Sequence, residues 1–324
     1  MISVSQFKPA WWLSNAHSQT MLAKYLKRKQ KVPLITEQFP TTDGDFVELA
    51  WTSKPLANDN TPIVVLLHGL EGSKDSHYAK GMLSAIAEKG WHGVLMHFRG
   101  CGDEQNRFGA SYHSGDTRDI HSFSRWLEQQ FPTSPKALIG FSLGGNVTIK
   151  YLGEVEHSPY KAASAICAPL DLASCSKRIS QGFSKVYENY LLNMLKQSTV
   201  AKMQAKKLPE LCSEKVNALR SIWQFDDYVT GPINGFKNAI DYYTKSSGKQ
   251  FLAKINKPCL IIHAEDDPFL SHADIVDIPT PLPSHIRFEV SKKGGHVGFV
   301  SGNNPFKPTF WLEQRIPAFL SEHL

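Results

Sequence analysis

One short segment constrains the fold of this chain more than any other. It runs from Leu138 to Val147 and reads LIGFSLGGNV, with Gly-Phe-Ser-Leu-Gly directly after an apolar run. Such a G-x-S-x-G string is typical of a nucleophile elbow, a sharp turn from a buried strand into a helix that exposes Ser142 at its apex. The string also arises by chance, so its context decides. Residues 136–139 predict the strand and residues 145–154 predict the helix, and the flanking glycines avoid collisions of Cβ atoms with the neighbouring strand and helix.

Composition indicates an ordinary globular protein. The 324 residues suffice for one large α/β domain with an insertion or for two smaller domains, and 41% hydrophobic residues can supply a full core. The net charge of +6 is a weak signal. A basic cluster at 24–31 is typical of a solvated helix face, with transient contact to an anionic membrane surface or an acidic substrate as the alternative. No motif for nucleic-acid binding is present, so nucleic acid is not an expected partner.

The cysteines and the N-terminal segment favour a cytoplasmic protein without cofactor or metal. Five cysteines form no C-x-x-C pair, which favours reduced thiols over disulfides or a metal site. Asp226 and Asp227 could coordinate a cation, but further oxygen ligands at the required spacing do not follow them. The first residues, MISVSQFKPAWWL, have no signal-peptide pattern, and no apolar run approaches about 18 residues.

Short apolar runs alternate with amphipathic stretches from residue 62 onwards. This rhythm is typical of βαβ units, so we expect an α/β fold with a mostly parallel, doubly wound sheet that is flanked by helices. The predicted strands are 63–67, 93–98, 136–140, 162–167, 259–263 and 286–290, and the predicted helices lie near 82–87, 116–130, 145–154 and 309–322. Residues 34–39 and 46–51, separated by Asp43-Gly44, predict a leading antiparallel hairpin at the edge of the sheet.

The alternation of apolar runs and amphipathic stretches ends after Pro169. Residues 171–250 carry helical and irregular patterns without a strand-like aliphatic run, so we predict a helical insertion, a cap or lid, within a single domain of residues 1–324. One stripe in this segment is interpreted first as helix core and second as a cover over an apolar substrate. It consists of Tyr187, Tyr190, Leu191, Met194 and Leu195.

A serine hydroxyl is a poor nucleophile at neutral pH, so Ser142 needs a base and a group that orients the base. In this motif class the chain order is serine, acid, histidine. Of 13 histidines, His296 alone lies in a glycine-rich loop directly after a predicted strand, within Lys293-Gly-Gly-His-Val-Gly298. A structural histidine in a turn is the alternative. His263, His272 and His285 are weaker candidates because they lie in or near strands or in an exposed loop.

The acid is expected just past the strand that ends at His263. The segment His-Ala-Glu-Asp-Asp-Pro supplies three carboxylates there, and we select Asp267 because the proline after it ends the strand pairing and starts the loop. Asp266 is the close rival, Glu265 is weaker because its side chain should point back along the strand, and Asp171 is a more distant candidate.

Acyl transfer also needs two N–H donors aimed at the developing oxyanion, each contributing about 3 kcal/mol. The first is expected to be the N–H of Leu143, directly after the nucleophile and at the positive end of a helix. The second is expected from the loop 68–72, which reads His-Gly-Leu-Glu-Gly, with Leu70 N–H as the best candidate. His68 itself is interpreted as a structural turn residue.

With elbow, acid and histidine in this order, the chain resembles the α/β-hydrolases over nearly its whole length. In particular it resembles the YheT-like branch, bacterial relatives of eukaryotic lipid-handling abhydrolase proteins. The resemblance rests on PAWWLSNAHSQT at 9–20, LLHGLEGS at 66–73, HFRGCG at 97–102, YHSGDTRDI at 112–120, GFSLGGN at 140–146, FDDYVTGPINGF at 225–236 and GGHVGF at 294–299. Many hydrolases share the elbow string, whereas the strings at 9–20 and 225–236 are much more specific to this branch. The resemblance implies Ser142, Asp267 and His296 as charge-relay residues and implies chemistry on lipophilic esters.

The sequence therefore predicts a cofactor-independent serine hydrolase that cleaves carboxylic, lipophilic acyl esters through an acyl-enzyme. A thioesterase or an acyltransferase would use the same triad. A non-catalytic binding protein of hydrolase fold is the alternative from another class, because fold and function are separable. A peripheral membrane lipase that docks through Trp11-Trp12 and the basic cluster at 24–31 is a third interpretation.

Overall fold

A mostly parallel nine-stranded sheet forms the centre of the molecule. We analysed a computed structural model, which describes residues 2–26, 32–271, 275 and 277–324. The strands of the sheet are β1 (Ile2–Val4), β2 (Ile35–Pro40), β3 (Phe46–Trp51), β4 (Ile63–Leu67), β5 (His92–Met96), β6 (Lys136–Phe141), β7 (Tyr160–Ile166), β8 (Cys259–Ala264) and β9 (Ile286–Ser291). Their order across the sheet is β1-β9-β8-β7-β6-β4-β5-β3-β2. Two further strands, β10 (Val300–Ser301) and β11 (Thr309–Phe310), form a small antiparallel pair.

The direction of the strands confirms the predicted sheet. β2 and β3 form the expected antiparallel hairpin at one edge, with Ile35 opposite Trp51, and β3 is also antiparallel to β5. All other neighbours in this sheet are parallel. β1 was not predicted, because a three-residue exposed strand carries no pattern of its own; it pairs with β9 at the far edge.

The helices lie on both faces of the sheet and between β7 and β8. Their bounds are α1 (Ala16–Leu26), α2 (His77–Glu88), α3 (Arg118–Gln130), α4 (Leu143–Glu154), α5 (Leu172–Ile179), α6 (Lys185–Gln204), α7 (Ser213–Ala218), α8 (Ile222–Phe225), α9 (Gly231–Ile233), α10 (Ala239–Ser246) and α11 (Leu312–Leu320). Short 3-10 helices occupy Trp11–Leu13, Gly182–Ser184 and Gly248–Lys254, and a π-helix occupies Asp226–Thr230.

Two apolar cores follow from the alternation of side chains along the buried strands. Val65 of β4 packs in one cluster with α3 and α4, whereas its neighbours Val64 and Leu66 pack in the other with α2 and α11. All five residues of β4 are fully buried. A strand that is covered by helices on both faces has a continuous run of apolar residues, and the sequence of β4 is such a run.

Between β7 and β8, the described residues 172–254 contain only helical elements. They form two small apolar clusters apart from the sheet cores, one around Tyr242 and one around Val216. The boundaries 171–250 and the role of a cap stay predictions. Within the predicted apolar stripe, Tyr187 is buried. Tyr190 is exposed, so its assignment to the helix core was wrong. The Lys24 ammonium lies 5.7 Å from the centroid of the Tyr190 ring.

Two properties predicted from the sequence can be compared with the structure. All five cysteines are free thiols. Within the described part of the chain, no helix has both the length and the apolar character that crossing a bilayer requires. Most of the basic cluster, residues 27–31, lies outside the described residues, as does His272.

Candidate active site

Ser142 lies at the sharp turn between β6 and α4. Its backbone angles are φ 53° and ψ −119°, a conformation that is strained for a residue with a side chain. Two hydrogen bonds hold the turn: Ser142 N–H donates to Ile166 O of β7 at 2.8 Å, and Gly144 N–H donates to the carbonyl oxygen of His68, directly after β4, at 3.1 Å. The helix begins directly after the serine, two residues earlier than predicted.

The two glycines of the motif are needed for steric reasons, as predicted. A Cβ atom on Gly140 would lie 2.1 Å from the carbonyl oxygen of Gly144, and a Cβ atom on Gly144 would lie 2.5 Å from the carbonyl oxygen of Leu67. Both obstacles are backbone atoms, which cannot rotate away as a flexible side chain can. The elbow therefore excludes larger residues at these positions.

The three residues selected as nucleophile, base and acid lie in one hydrogen-bonded chain. The Ser142 hydroxyl is 2.9 Å from Nε2 of His296, and Nδ1 of His296 is 2.8 Å from Oδ2 of Asp267. Asp267 and His296 are both buried. Phe269 stacks on the imidazole, with 4.0 Å between ring centroids, and its N–H donates to Oδ1 of Asp267. The Asp267 carboxylate is thereby fixed on both oxygens.

The N-terminal helix holds the histidine loop, a contact that the sequence reasoning missed. His296 N–H donates to Oγ1 of Thr20 at 2.9 Å. Gln19 joins α1 to the same loop by accepting the N–H of Val300 and donating to its carbonyl oxygen. A Cβ atom on Gly298 would lie 2.4 Å from the carbonyl oxygen of Gln19. The signal for this role was the particular aromatic string at 9–20, whose contacts could not be read from the sequence.

The rival acids have other partners. Oδ1 of Asp266 accepts the N–H of Gly295 at 2.9 Å, so this carboxyl supports the histidine loop, and burial raises its pKa. Glu265 is exposed. Asp171 caps α5 by accepting the N–H of Ser174. The carboxylate on the imidazole is that of Asp267.

The two other candidate histidines among the described residues, His263 and His285, do not contact the serine hydroxyl. His263 is buried in β8 with its ring 5.1 Å from that of Phe288, and burial lowers its pKa to about 4. His285 binds the carbonyl oxygen of Ile255 through Nε2. Among the described residues, His296 provides the imidazole at Ser142.

The N–H of Leu143 is available at the start of α4. Gly145 N–H and Asn146 N–H both donate to the carbonyl oxygen of Ser142, at 2.8 and 3.2 Å. No hydrogen bond among the described residues uses the N–H of Leu143, and Leu143 lines the same cavity as Ser142. A free donor at the N-terminus of a helix favours a negative ligand.

The backbone N–H groups of the residues before and after Leu70 are already hydrogen-bonded to tyrosine hydroxyls. Gly69 N–H donates to the hydroxyl of Tyr78, and Glu71 N–H donates to the hydroxyl of Tyr112, both at 2.8 Å. No hydrogen bond among the described residues uses Leu70 N–H, and Leu70 also lines the cavity. The two predicted donors thus both border the space beside the serine.

His68 has the structural role expected of it. Its Nδ1–H donates to Gly69 O at 2.7 Å, and its Nε2 accepts the N–H of Phe98 at 3.0 Å. Burial lowers the pKa of His68 to about 3, so the ring is neutral. It connects the loop that carries Leu70 to the end of β5.

A cavity of about 260 Å³ opens beside the serine and histidine. Most of its lining is apolar, and a large part comes from the helical segment between β7 and β8. The apolar residues are Leu70, Leu143, Pro169, Leu172, Ile179, Leu191, Leu195, Ile222, Phe269, Leu270 and Val297. A mostly apolar pocket with a few convergent polar groups suits a small apolar ligand.

One group of side chains in the described part of the chain could hold a metal ion. Cys167, Asp267 and His296 each offer one ligand atom, and these atoms lie within 4.8 Å of one another. Asp267 and His296 are already bonded to each other, and burial raises the pKa of the Cys167 thiol well above its usual value, which disfavours the thiolate that metals bind. We assign no metal to this group.

The sheet order and a serine on a strained strand-to-helix turn define an enzyme of the hydrolase class. The family model described as alpha/beta hydrolase fold matches residues 62–303. YheT of Escherichia coli (strain K12), named provisionally as an esterase, is 42% identical over 325 residues, which is 99% of this chain and 95% of its own length. The chain therefore belongs to the α/β-hydrolase family and, within it, to the branch that contains YheT.

Two further comparisons agree. The phospholipase ABHD3 of Bos taurus is 28% identical over 311 residues, which cover 94% of this chain and 75% of that protein. The solved structure of the Pyrococcus furiosus esterase Pf2001 has a TM-score of 0.58 at 16% identity, over 91% of this chain and 92% of the other, a likeness of fold alone. The predictions of fold class, family and an esterase- or lipase-type hydrolase are confirmed at this level.

We expect Gly140→Ala to destabilise the elbow by about 3 kcal/mol, because the new methyl group would overlap a backbone oxygen. Gly182→Ala is the matched control. Its Cβ would point into open space but its φ is +54°, so we expect a loss of about 1 kcal/mol from backbone strain alone. Urea unfolding followed by circular dichroism measures both, and equal losses would contradict the steric account.

Tyr78→Phe should lower the free energy of unfolding by about 2 kcal/mol, because it leaves the buried N–H of Gly69 without an acceptor. Tyr190→Phe removes the hydroxyl of an exposed tyrosine and should change stability by less than about 0.5 kcal/mol. The same unfolding measurement compares the two variants. A Tyr78→Phe protein as stable as the wild type would show that the tyrosine does not support the loop.

Proposed function

We propose that this enzyme is a serine hydrolase that cleaves carboxylic esters of lipophilic acids through an acyl-enzyme on Ser142. One observation carries the proposal. The hydroxyl of Ser142, the imidazole of His296 and the carboxylate of Asp267 lie at 2.9 and 2.8 Å in a chain that borders a mostly apolar cavity. The esterase and phospholipase names of its relatives support an oxygen ester as substrate and water as acceptor.

In the first half of the reaction, Oγ of Ser142 attacks the acyl carbonyl carbon while Nε2 of His296 takes the hydroxyl proton. The carbonyl oxygen becomes an oxyanion and accepts hydrogen bonds from the N–H groups of Leu143 and Leu70, each worth about 3 kcal/mol in the transition state. Asp267 keeps the imidazole in the tautomer that can accept this proton and stabilises the imidazolium that forms.

In the second half, the intermediate collapses and the C–O bond to the alcohol breaks. Nε2 of His296 gives its proton to the leaving oxygen, and the acyl group stays on Oγ of Ser142. Water then attacks the acyl carbon while the imidazole accepts one water proton. The carboxylic acid leaves, Oγ recovers its proton from His296, and the enzyme returns to its starting state. No cofactor takes part in this sequence.

We propose residues 171–250 as the cap that selects the acyl chain. α5, α6 and α8 contribute Leu172, Ile179, Leu191, Leu195 and Ile222 to the cavity wall. The binding free energy becomes more favourable by about 25 cal/mol for each Å² of apolar surface that is removed from water when an acyl chain binds. Substrates with a longer acyl chain should therefore bind better until the chain fills the cavity.

Ser142→Ala should abolish labelling by a fluorophosphonate probe and lower turnover of p-nitrophenyl esters by at least about 10⁴-fold, because it removes the nucleophile. The probe is followed by gel fluorescence and the ester by release of p-nitrophenolate. Ser114→Ala, which changes another serine of the same cavity, is the control and should still label. Labelling and turnover that persist in the Ser142→Ala protein would reject the nucleophile.

The two adjacent aspartates should differ strongly in their effect on turnover. Asp267→Asn should lower kcat by about 10⁴-fold, because an amide favours the wrong imidazole tautomer. Asp266→Asn keeps an acceptor for Gly295 N–H and should change kcat by less than about tenfold. Steady-state kinetics with one p-nitrophenyl ester compares them. A larger loss from Asp266→Asn would identify that residue as the acid instead.

A further inference from the structure

Asp226 is a buried carboxyl on the cap side of the catalytic cavity. It lies in the π-helix between α8 and α9, is 8% exposed and lines the same cavity as Ser142. Oδ2 accepts the hydroxyl of Tyr243 at 2.7 Å, and burial raises the pKa of Asp226 to about 6. Its neighbour Asp227 instead binds the N–H of Ala239, so the two carboxylates do not act together as the cation site that their adjacency suggested.

Among the described residues, no basic group compensates this carboxylate. Its side-chain partners there are the hydroxyls of Thr230 and Tyr243, and no described Lys, Arg or His forms an ion pair with it. A buried carboxyl of this kind is unfavourable for folding, and buried carboxyls with raised pKa values that line a cleft are enriched at functional sites. The proposed reaction of Ser142, His296 and Asp267 does not use Asp226.

The polar cluster around Asp226 lies where the catalytic cavity meets the outside. Ser176 and Tyr243 line both the catalytic cavity and a second, open groove of about 810 Å³. The Tyr243 hydroxyl is 2.7 Å from Asp226 and 3.2 Å from Oγ of Ser176, so the three side chains form one polar wall between the two spaces. Lys177 and Lys249 add polar groups to the groove beyond it.

We propose that Asp226, with Ser176 and Tyr243, binds a free hydroxyl on the alcohol part of the ester. This inference rests on the proposed function. A saturated acyl chain has no hydrogen-bond donor, so in an ester of a simple fatty acid only the alcohol can supply one. A hydroxyl can donate to the carboxylate and accept from Ser176, whereas a quaternary ammonium group has no N–H to donate. The alcohol would thus extend towards the open groove.

The test compares three esters of one acid, decanoyl glycerol, methyl decanoate and decanoyl choline, by titrating the acid that each releases. The quantity measured is the ratio of kcat/KM for the glycerol ester to that for the methyl ester. Asp226→Asn should lower this ratio roughly tenfold or more, because it removes a hydrogen bond to a charged acceptor. Asp227→Asn, which lies outside the cavity lining, should leave the ratio unchanged.

Tyr243→Phe is the second variant and should lower the same ratio, because it removes one hydroxyl of the wall. Asp226→Asn should also melt at a temperature no lower than that of the wild type, since it removes an uncompensated buried charge. A structural residue would show the opposite, a lower melting temperature with equal losses on all three esters.

An unchanged ratio in the Asp226→Asn protein would overturn the inference. So would a selective loss with decanoyl choline alone, which would assign Asp226 to a cationic headgroup. These failures are distinct from failure of the proposed function, because in that case the wild-type protein would hydrolyse none of the three esters.

Discussion

The strained turn at Ser142 is the constraint on which the site depends. A serine with φ 53° is stable here because its N–H bonds to β7 and because the residues around it are small enough for α4 to start against β4. The same turn projects the hydroxyl beyond the sheet and leaves the N–H of Leu143 free. Strained backbone of this kind persists only where the surrounding structure fixes it, and it is concentrated at functional sites.

Two elements outside the central sheet contribute to the site. α1 holds the histidine loop through Thr20 and Gln19, and the helical segment between β7 and β8 lines a large part of the cavity. The sheet itself supplies the serine turn and the ends of β8 and β9, which are followed by Asp267 and the histidine loop. The ends of parallel strands meet at one edge of the sheet, which explains why Ser142 and His296, 154 positions apart, can share one hydrogen-bonded chain.

The sequence was sufficient for those parts of the structure that local patterns encode. The elbow, the β2–β3 hairpin and the position of Asp267 between the end of β8 and a proline follow from neighbouring residues. β1 and the contact of Thr20 with His296 did not, because the latter joins positions 276 residues apart and no periodicity records it. Asp226 was considered only together with Asp227, as a cation ligand. Its contact with Tyr243 could not be predicted, because it depends on how the inserted helices pack.

A crystal structure of the protein after reaction with an alkyl fluorophosphonate tests the convergence of these groups most directly. The account predicts a phosphorus–oxygen bond to Oγ of Ser142 and a phosphonyl oxygen within hydrogen-bond distance of the N–H groups of both Leu70 and Leu143. It also predicts Nε2 of His296 beside the adduct and the alkyl chain among the side chains of α5 and α6. An adduct on another residue, or a phosphonyl oxygen that points away from both amides, would contradict the account.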